Sequence, residues 1–163
     1  MSDLSHIDDE GNAHMVDIGA KGETDRVAVA VATVIMAAET RDLVFGGNAP
    51  KGDVLATTRI AGIQAAKQTS TLIPLCHPLP LSKVTVDIDP VENGARISVT
   101  ASVTAKTGVE MEAMTGASVA ALAMYDMIKG VDRGASVSSV ELLHKSGGAS
   151  GTWDRGATGP DRD

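Results

Sequence analysis

Aromatic side chains are almost missing from this chain: Phe45, Tyr125 and Trp153 make up 2% of its 163 residues. The core must therefore be built from Val, Ile, Leu, Met and Ala, whose smaller surfaces each bury less area at about 25 cal/mol per Å². A lone subunit with such a core is marginal, and the Ala-rich runs favour close packing of elements, so a homo-oligomer is expected. The same scarcity removes the stacking platforms on which single-stranded nucleic acids bind. Positive charge is short as well. Lys and Arg total 14 against 21 Asp and Glu, for a formal net charge of −7, the wrong sign for a phosphate backbone. No nucleic-acid partner is expected. An anionic small molecule is still compatible, because local lysines decide that.

Cysteine occurs once, at Cys76, so no intramolecular disulfide is available. No apolar run approaches the roughly 20 residues of a membrane helix. The opening MSDLSHIDDEG is polar and acidic and lacks the apolar stretch of a signal peptide. The sequence predicts a soluble, cytoplasmic protein with no membrane partner. Its length suits one domain, residues 1–163, with mobile tails at 1–12 and 147–163.

The most distinctive stretch present is TGVEMEAMTGASVAALAMYDMIK (107–129). Carboxylates open it, Asp126 and Lys129 close it, and small or apolar residues fill it. It predicts a buried central helix whose ends help form a polar pocket, with Gly130 as C-cap. Before it, HMVDI (14–18) could be a short strand, and 27–35 alternates β-branched residues with Ala, predicting a strand covered on both faces. A short helix is expected around 39–44. GGNAPKGD is a loop, and Asp53 is the predicted N-cap of a helix over 54–67, where Gly62 allows close packing. Pro74, Pro78 and Pro80 exclude a regular helix or central strand from the stretch holding Cys76 and His77. Residues 83–89 and 95–105 alternate around Asn93-Gly94, predicting a hairpin. A last strand is expected over 135–145. The order is β-α-β-β-α-β, an α+β, ferredoxin-like fold: a mainly antiparallel sheet with helices on one face.

Glu110 and Glu112 could hold a polar ligand, bind a metal or do acid–base work. Yet Thr107-x-x-Glu110 also fits a capping box, and pattern alone favours that for Glu110 and leaves Glu112 open. Asp126 and Lys129 share a helix face, as a surface ion pair does. A lysine whose pKa is lowered by partial burial could instead move protons there. Lys51 sits in a Gly/Pro loop whose spacing is not that of a phosphate-binding P-loop. By default it is solvated. Cys76 reads as a buried thiol and His77 is an even choice between ligand contact and exposed loop residue. No second Cys is nearby, and His6, His14 and His144 lack zinc spacing, so no metal site is predicted.

Two long segments, KGDVLATTRIAGIQAAKQTSTLIPLCHPLPL and KTGVEMEAMTGASVAALAMYDMIK, resemble the molybdenum cofactor biosynthesis protein C family, the cyclic pyranopterin monophosphate synthases. MVDIGAKGET and LLHKSGGASG are similar to it too, so the resemblance runs from about residue 14 to 151. It implies a ferredoxin-like fold and a homohexamer, a trimer of dimers, with active sites at subunit interfaces. It also implies a lyase of molybdenum cofactor (molybdopterin) biosynthesis. The substrate would be (8S)-3′,8-cyclo-7,8-dihydroguanosine 5′-triphosphate, the products cyclic pyranopterin monophosphate and diphosphate. By the same resemblance Lys51, Asp126 and Lys129 are catalytic. Leu75, Cys76, His77, Glu110, Met111 and Glu112 bind substrate, and Lys21, Lys67 and Lys145 match lysines that could meet the triphosphate. No cofactor is implied. Where the family often has Ala, this chain has Gly116, and Ile128 stands where Cys is frequent. Neither change touches an acid–base group.

Overall fold

The computed structural model describes Ile7 and residues 10–156. The elements run β1 (Thr24–Ile35), α1 (Ala38–Phe45), α2 (Val54–Lys67), α3 (Thr69–Leu72), β2 (Lys83–Val91), β3 (Gly94–Ala105), α4 (Glu110–Ile128), β4 (Ser136–Ser146) and β5 (Trp153–Asp154). The sheet order is β2-β3-β1-β4-β5 with every pairing antiparallel. Strands β1 and β2 run the same way with β3 between them. That is the ferredoxin-like arrangement the element order implied.

Period-two alternation decides which face of the sheet is dry. Ala28, Ala30, Ala32 and Val34 of β1, and Ala95, Ile97, Val99, Ala101 and Val103 of β3, point to the helix side and are buried. There α4 packs on β1, β3 and β4, and α2 packs on β2 and along α4. The opposite face of β1 was expected to be covered too. On it Val31 is buried at 4%, Val27, Val29 and Thr33 are half-buried and Ile35 is exposed, so the cover is partial.

Small residues let α2 and α4 approach closely. A side chain on Gly62 would come within 3.2 Å of the Gly116 carbonyl, and one on Gly116 within 3.1 Å of the Gly62 carbonyl and 3.0 Å of Val99. Gly116, which costs the helix ~1 kcal/mol relative to Ala, is therefore tied to this crossing. Gly116→Val is expected to cost ~2–3 kcal/mol through overpacking, read as a lower urea midpoint at unchanged m-value.

Local chemistry sets several boundaries. The Asp53 carboxylate accepts from Ala56 N at 2.8 Å and starts α2 as predicted. The prolines keep the chain irregular from residue 74 to 82, after one turn of α3. The hairpin turn falls one residue earlier than the Asn-Gly signal suggests. Its central residues are Glu92 and Asn93, neither with positive φ, and Gly94 opens β3 at φ +150°. A side chain on Gly94 would collide with the Val34 carbonyl of the neighbouring strand. Gly130 is not a left-handed cap, and α4 ends on Lys129 in helical conformation.

Residues 14–18 form no strand, since both edges of the sheet lie elsewhere; Ala13 makes only an isolated bridge with Ile7. Of the tails expected to be mobile, residues 1–6, 8–9 and 157–163 lie outside the described residues. Within 147–156 the chain adds β5 at the edge of β4. Among the described residues no helix is long and apolar enough to cross a membrane.

Candidate active site

Strand polarity sorts the candidate residues to the two ends of the sheet. Thr24 of β1 pairs with Ala105 of β3, and Val27 with Ser146 of β4. One end of the sheet thus gathers the entry of β1, the exits of β3 and β4, and the start of α4. The other gathers Ile35, Gly94 and Ser136, the start of α2 and the end of α4.

At the first end lies a cleft of about 410 Å³. Leu75, Cys76, His77, Glu110, Met111 and Glu112 all line it, so the Pro-fixed segment and the first turn of α4 face one space. Val16, Ile18 and Lys21 of the segment before β1 form another wall, held by a 2.8 Å hydrogen bond from Lys106 Nζ to the Gly19 carbonyl. The capping-box reading fails: α4 begins at Glu110, its N-cap is Val109, and no side chain caps it. The Glu110 carboxylate turns to Lys145 instead, Oε1 to Nζ 3.0 Å, and a side chain on Gly108 would collide with it.

Glu112 is 3% exposed. Burial pushes its carboxyl up from 4.5 to about 7; a bond from its own backbone amide opposes this and Glu110 adds to it. Burial, with Glu112 nearby, also raises the Cys76 thiol, which keeps it protonated and a poor nucleophile. For an acid raised on folding, the stabilising contribution is full below about pH 4.5 and is lost as pH rises to about 7. Glu112→Gln is expected to be more stable than the parent at pH 8 by on the order of 2 kcal/mol. Below pH 4.5 that difference is expected to vanish, as paired urea titrations at pH 8 and pH 4 will read.

Next to this cleft is a second cavity of about 300 Å³ that shares Lys21, Thr107, Gly108 and Glu110 with it. Lys21, Arg26, Lys106 and Lys145 line it together with the Gly-rich residues 146–147 and 149–150. Four cations against one carboxylate give it a positive lining, which suits an anion. Arg26 Nε is buried with no hydrogen-bond partner among the described residues, a donor free for a ligand. Sequence reasoning singled out neither Arg26 nor Lys106. Their signal was the match of their chain positions across β1 and β3, legible only with the pairing known. Lys67 lies apart, in a shallow groove that shares Leu79 with the cleft.

At the far end Lys51, Asp126 and Lys129 form one cluster. Lys51 Nζ donates to the Asp126 carbonyl at 2.7 Å and approaches Oδ2 at 3.4 Å, while Lys129 Nζ sits 2.7 Å from Oδ1. Lys129, then Lys51, holds the Asp126 carboxyl below its ordinary value. In return Asp126 raises Lys129, the reverse of the lowering that burial would bring. All three side chains are about half exposed in the single chain.

The two groups do not meet within one chain. At about 1.5 Å of rise per residue, Glu110 and Asp126 stand ~24 Å apart along α4. Within one chain, therefore, the two ends of this helix do not share a pocket. Among the described residues no cluster of three or more His, Cys, Asp or Glu is placed to hold a metal.

Comparison with known proteins bears on the same residues. The MoaC family model matches residues 15–148. A cyclic pyranopterin monophosphate synthase of Novosphingobium aromaticivorans is 56% identical over 153 residues, covering 94% of this chain and 98% of that protein. The synthase of Brucella ovis is 56% identical with 92% of each chain covered, and that of Thermomicrobium roseum 54% identical with 95% of each covered. With a fold, a cleft and a lysine–aspartate cluster that fall inside the matched residues, the chain belongs to the MoaC family.

Proposed function

We propose that this protein is a cyclic pyranopterin monophosphate synthase, a lyase of molybdenum cofactor biosynthesis. It converts 3′,8-cyclo-7,8-dihydroguanosine 5′-triphosphate into cyclic pyranopterin monophosphate and diphosphate. The observation that carries this reading is the junction of two cavities of opposite character. The guanine-derived ring presents N–H donors, which Glu112 accepts when ionised, with His77 beside it. The triphosphate suits the adjoining cavity of Lys21, Arg26, Lys106 and Lys145. Oriented so, a sugar hydroxyl attacks the α-phosphate and the bond to the β-phosphate breaks, releasing diphosphate.

Lys51, Asp126 and Lys129 supply the proton transfers and counter the developing charge. Because they lie ~24 Å from Glu110 along α4, a second copy must present them to the cleft. A hexamer built as a trimer of dimers offers that juxtaposition. Single-chain features support association: Ile60 and Leu122 are exposed on the helix layer at 65% and 58%, and Ile35 at the end of β1 is exposed at 36%.

The test is turnover of the cyclic dihydro-GTP intermediate by the purified protein, read as diphosphate release together with a pterin product. Binding without product would instead favour a non-catalytic nucleotide-sensing domain.

A further inference from the structure

The stretch after β4 is more built than its glycine content suggests. From Ser146 the chain turns around Arg26: a side chain on Gly147 would collide with the Asp25 carbonyl, and one on Gly148 with the Arg26 guanidinium. Both glycines have positive φ, and Gly151 N closes a turn onto the Gly148 carbonyl at 3.2 Å. The chain is then brought back to the edge of β4 by β5, where Asp154 pairs with His144 and Trp153 with Lys145.

Four contacts to β4 hold it there, and a fifth lies within residues 153–155 themselves. Asp154 Oδ1 lies 2.7 Å from His144 Nδ1. Arg155 N donates to the Leu143 carbonyl and Arg155 Nε to the Leu142 carbonyl, each at 2.8 Å. The Arg155 guanidinium reaches Glu141 at 3.4 Å and lies over the Trp153 ring at 5.9 Å. Asp154 and Arg155 line neither cavity, yet the residues they tie back, 147, 149 and 150, form the wall of the cationic one.

We propose that β5 is a clamp: by fixing Asp154 on His144 and Arg155 on β4, it keeps residues 147–150 closed around Arg26 and so sets the affinity of the cationic cavity for a polyphosphate. Asp154 and Arg155 are thus positioning residues. This rests on the reading of that cavity as the triphosphate end of the site. A loop already ordered loses little entropy when the anion arrives, whereas a released loop must be ordered at binding.

The experiment compares the full-length protein with Asp154→Ala, Arg155→Ala and the conservative Asp154→Glu. Inorganic tripolyphosphate binding is followed by calorimetry, residues 147–150 by hydrogen exchange, and turnover by KM and kcat. In both alanine variants faster exchange in 147–150 is expected, with Kd and KM raised about tenfold, the equivalent of re-ordering about one residue. In the same variants kcat is expected to stay within about twofold, because the reacting groups are untouched. Asp154→Glu is expected to restore most of the affinity. Unchanged exchange, or faster exchange at unchanged Kd, overturns the clamp. So does a parent protein that does not bind tripolyphosphate. Tripolyphosphate binding that follows the clamp, without any turnover, leaves the clamp standing and removes the proposed activity instead.

Discussion

Lys129→Ala is expected to lower diphosphate release by about 10³-fold, the range for a lost proton-transfer group, while the oligomer keeps its size. Lys129 Nζ lies 2.7 Å from Asp126 Oδ1, and Asp126 raises its pKa, which favours the protonated, cationic form that the proposed proton donor needs. Its removal takes away a proton donor and one of the two cations that hold the Asp126 carboxylate. The remaining one, Lys51, is held by the Asp126 carbonyl as well as the carboxylate and cannot move to the vacated position without giving up the 2.7 Å bond. The loss should fall on kcat more than on KM, because the cleft proposed to take the ring is at the other end of α4. The three side chains are half exposed, so the substitution leaves the core intact and circular dichroism is expected to be unchanged. Near-normal turnover in Lys129→Ala would remove this cluster from the reaction.

The second large effect is a rescue. Glu112→Ala and Lys129→Ala are each expected to be nearly inactive, yet a co-refolded mixture is expected to recover about a quarter of the parent activity. The reasoning is geometric. A two-fold dimer with composite sites takes one half of each site from each chain. In a mixed dimer one site then carries both lesions and the other carries none, and random pairing makes about half of the dimers mixed. If each chain built a whole site by itself, mixing would restore nothing. The separation of ~24 Å along a rigid helix is what makes rescue the expected result.

Much of the architecture was legible in residue order. Alternation along 83–89 and 95–105 placed the hairpin, and Asp53 marked the start of α2, because these signals are local and each depends on a few neighbouring residues. Where a signal depended on a competing partner it misled. Thr107-x-x-Glu110 has the spacing of a cap, but Lys145, 35 residues away in sequence, takes the Glu110 carboxylate. Val27, Val29 and Thr33 have the β-branching of a strand buried on both sides, but whether a layer covers them depends on elements the strand itself does not contain.

The candidate site divides in the same way. By itself the sequence determined the fold class and the family resemblance, and it singled out Lys51, His77, Glu112, Asp126 and Lys129 as candidates, since motifs are written in adjacent residues. Only the tertiary structure decided that these residues fall into two separate groups in one chain, that Arg26 and Lys106 join Lys21 and Lys145 around one cavity, and that β5 pairs with the edge of β4. The physical reason is that strand pairing converts sequence position into spatial position. Thr24 meets Ala105 and Val27 meets Ser146 through hydrogen bonds that no local pattern specifies, while an unbroken helix of 19 residues keeps its own two ends apart.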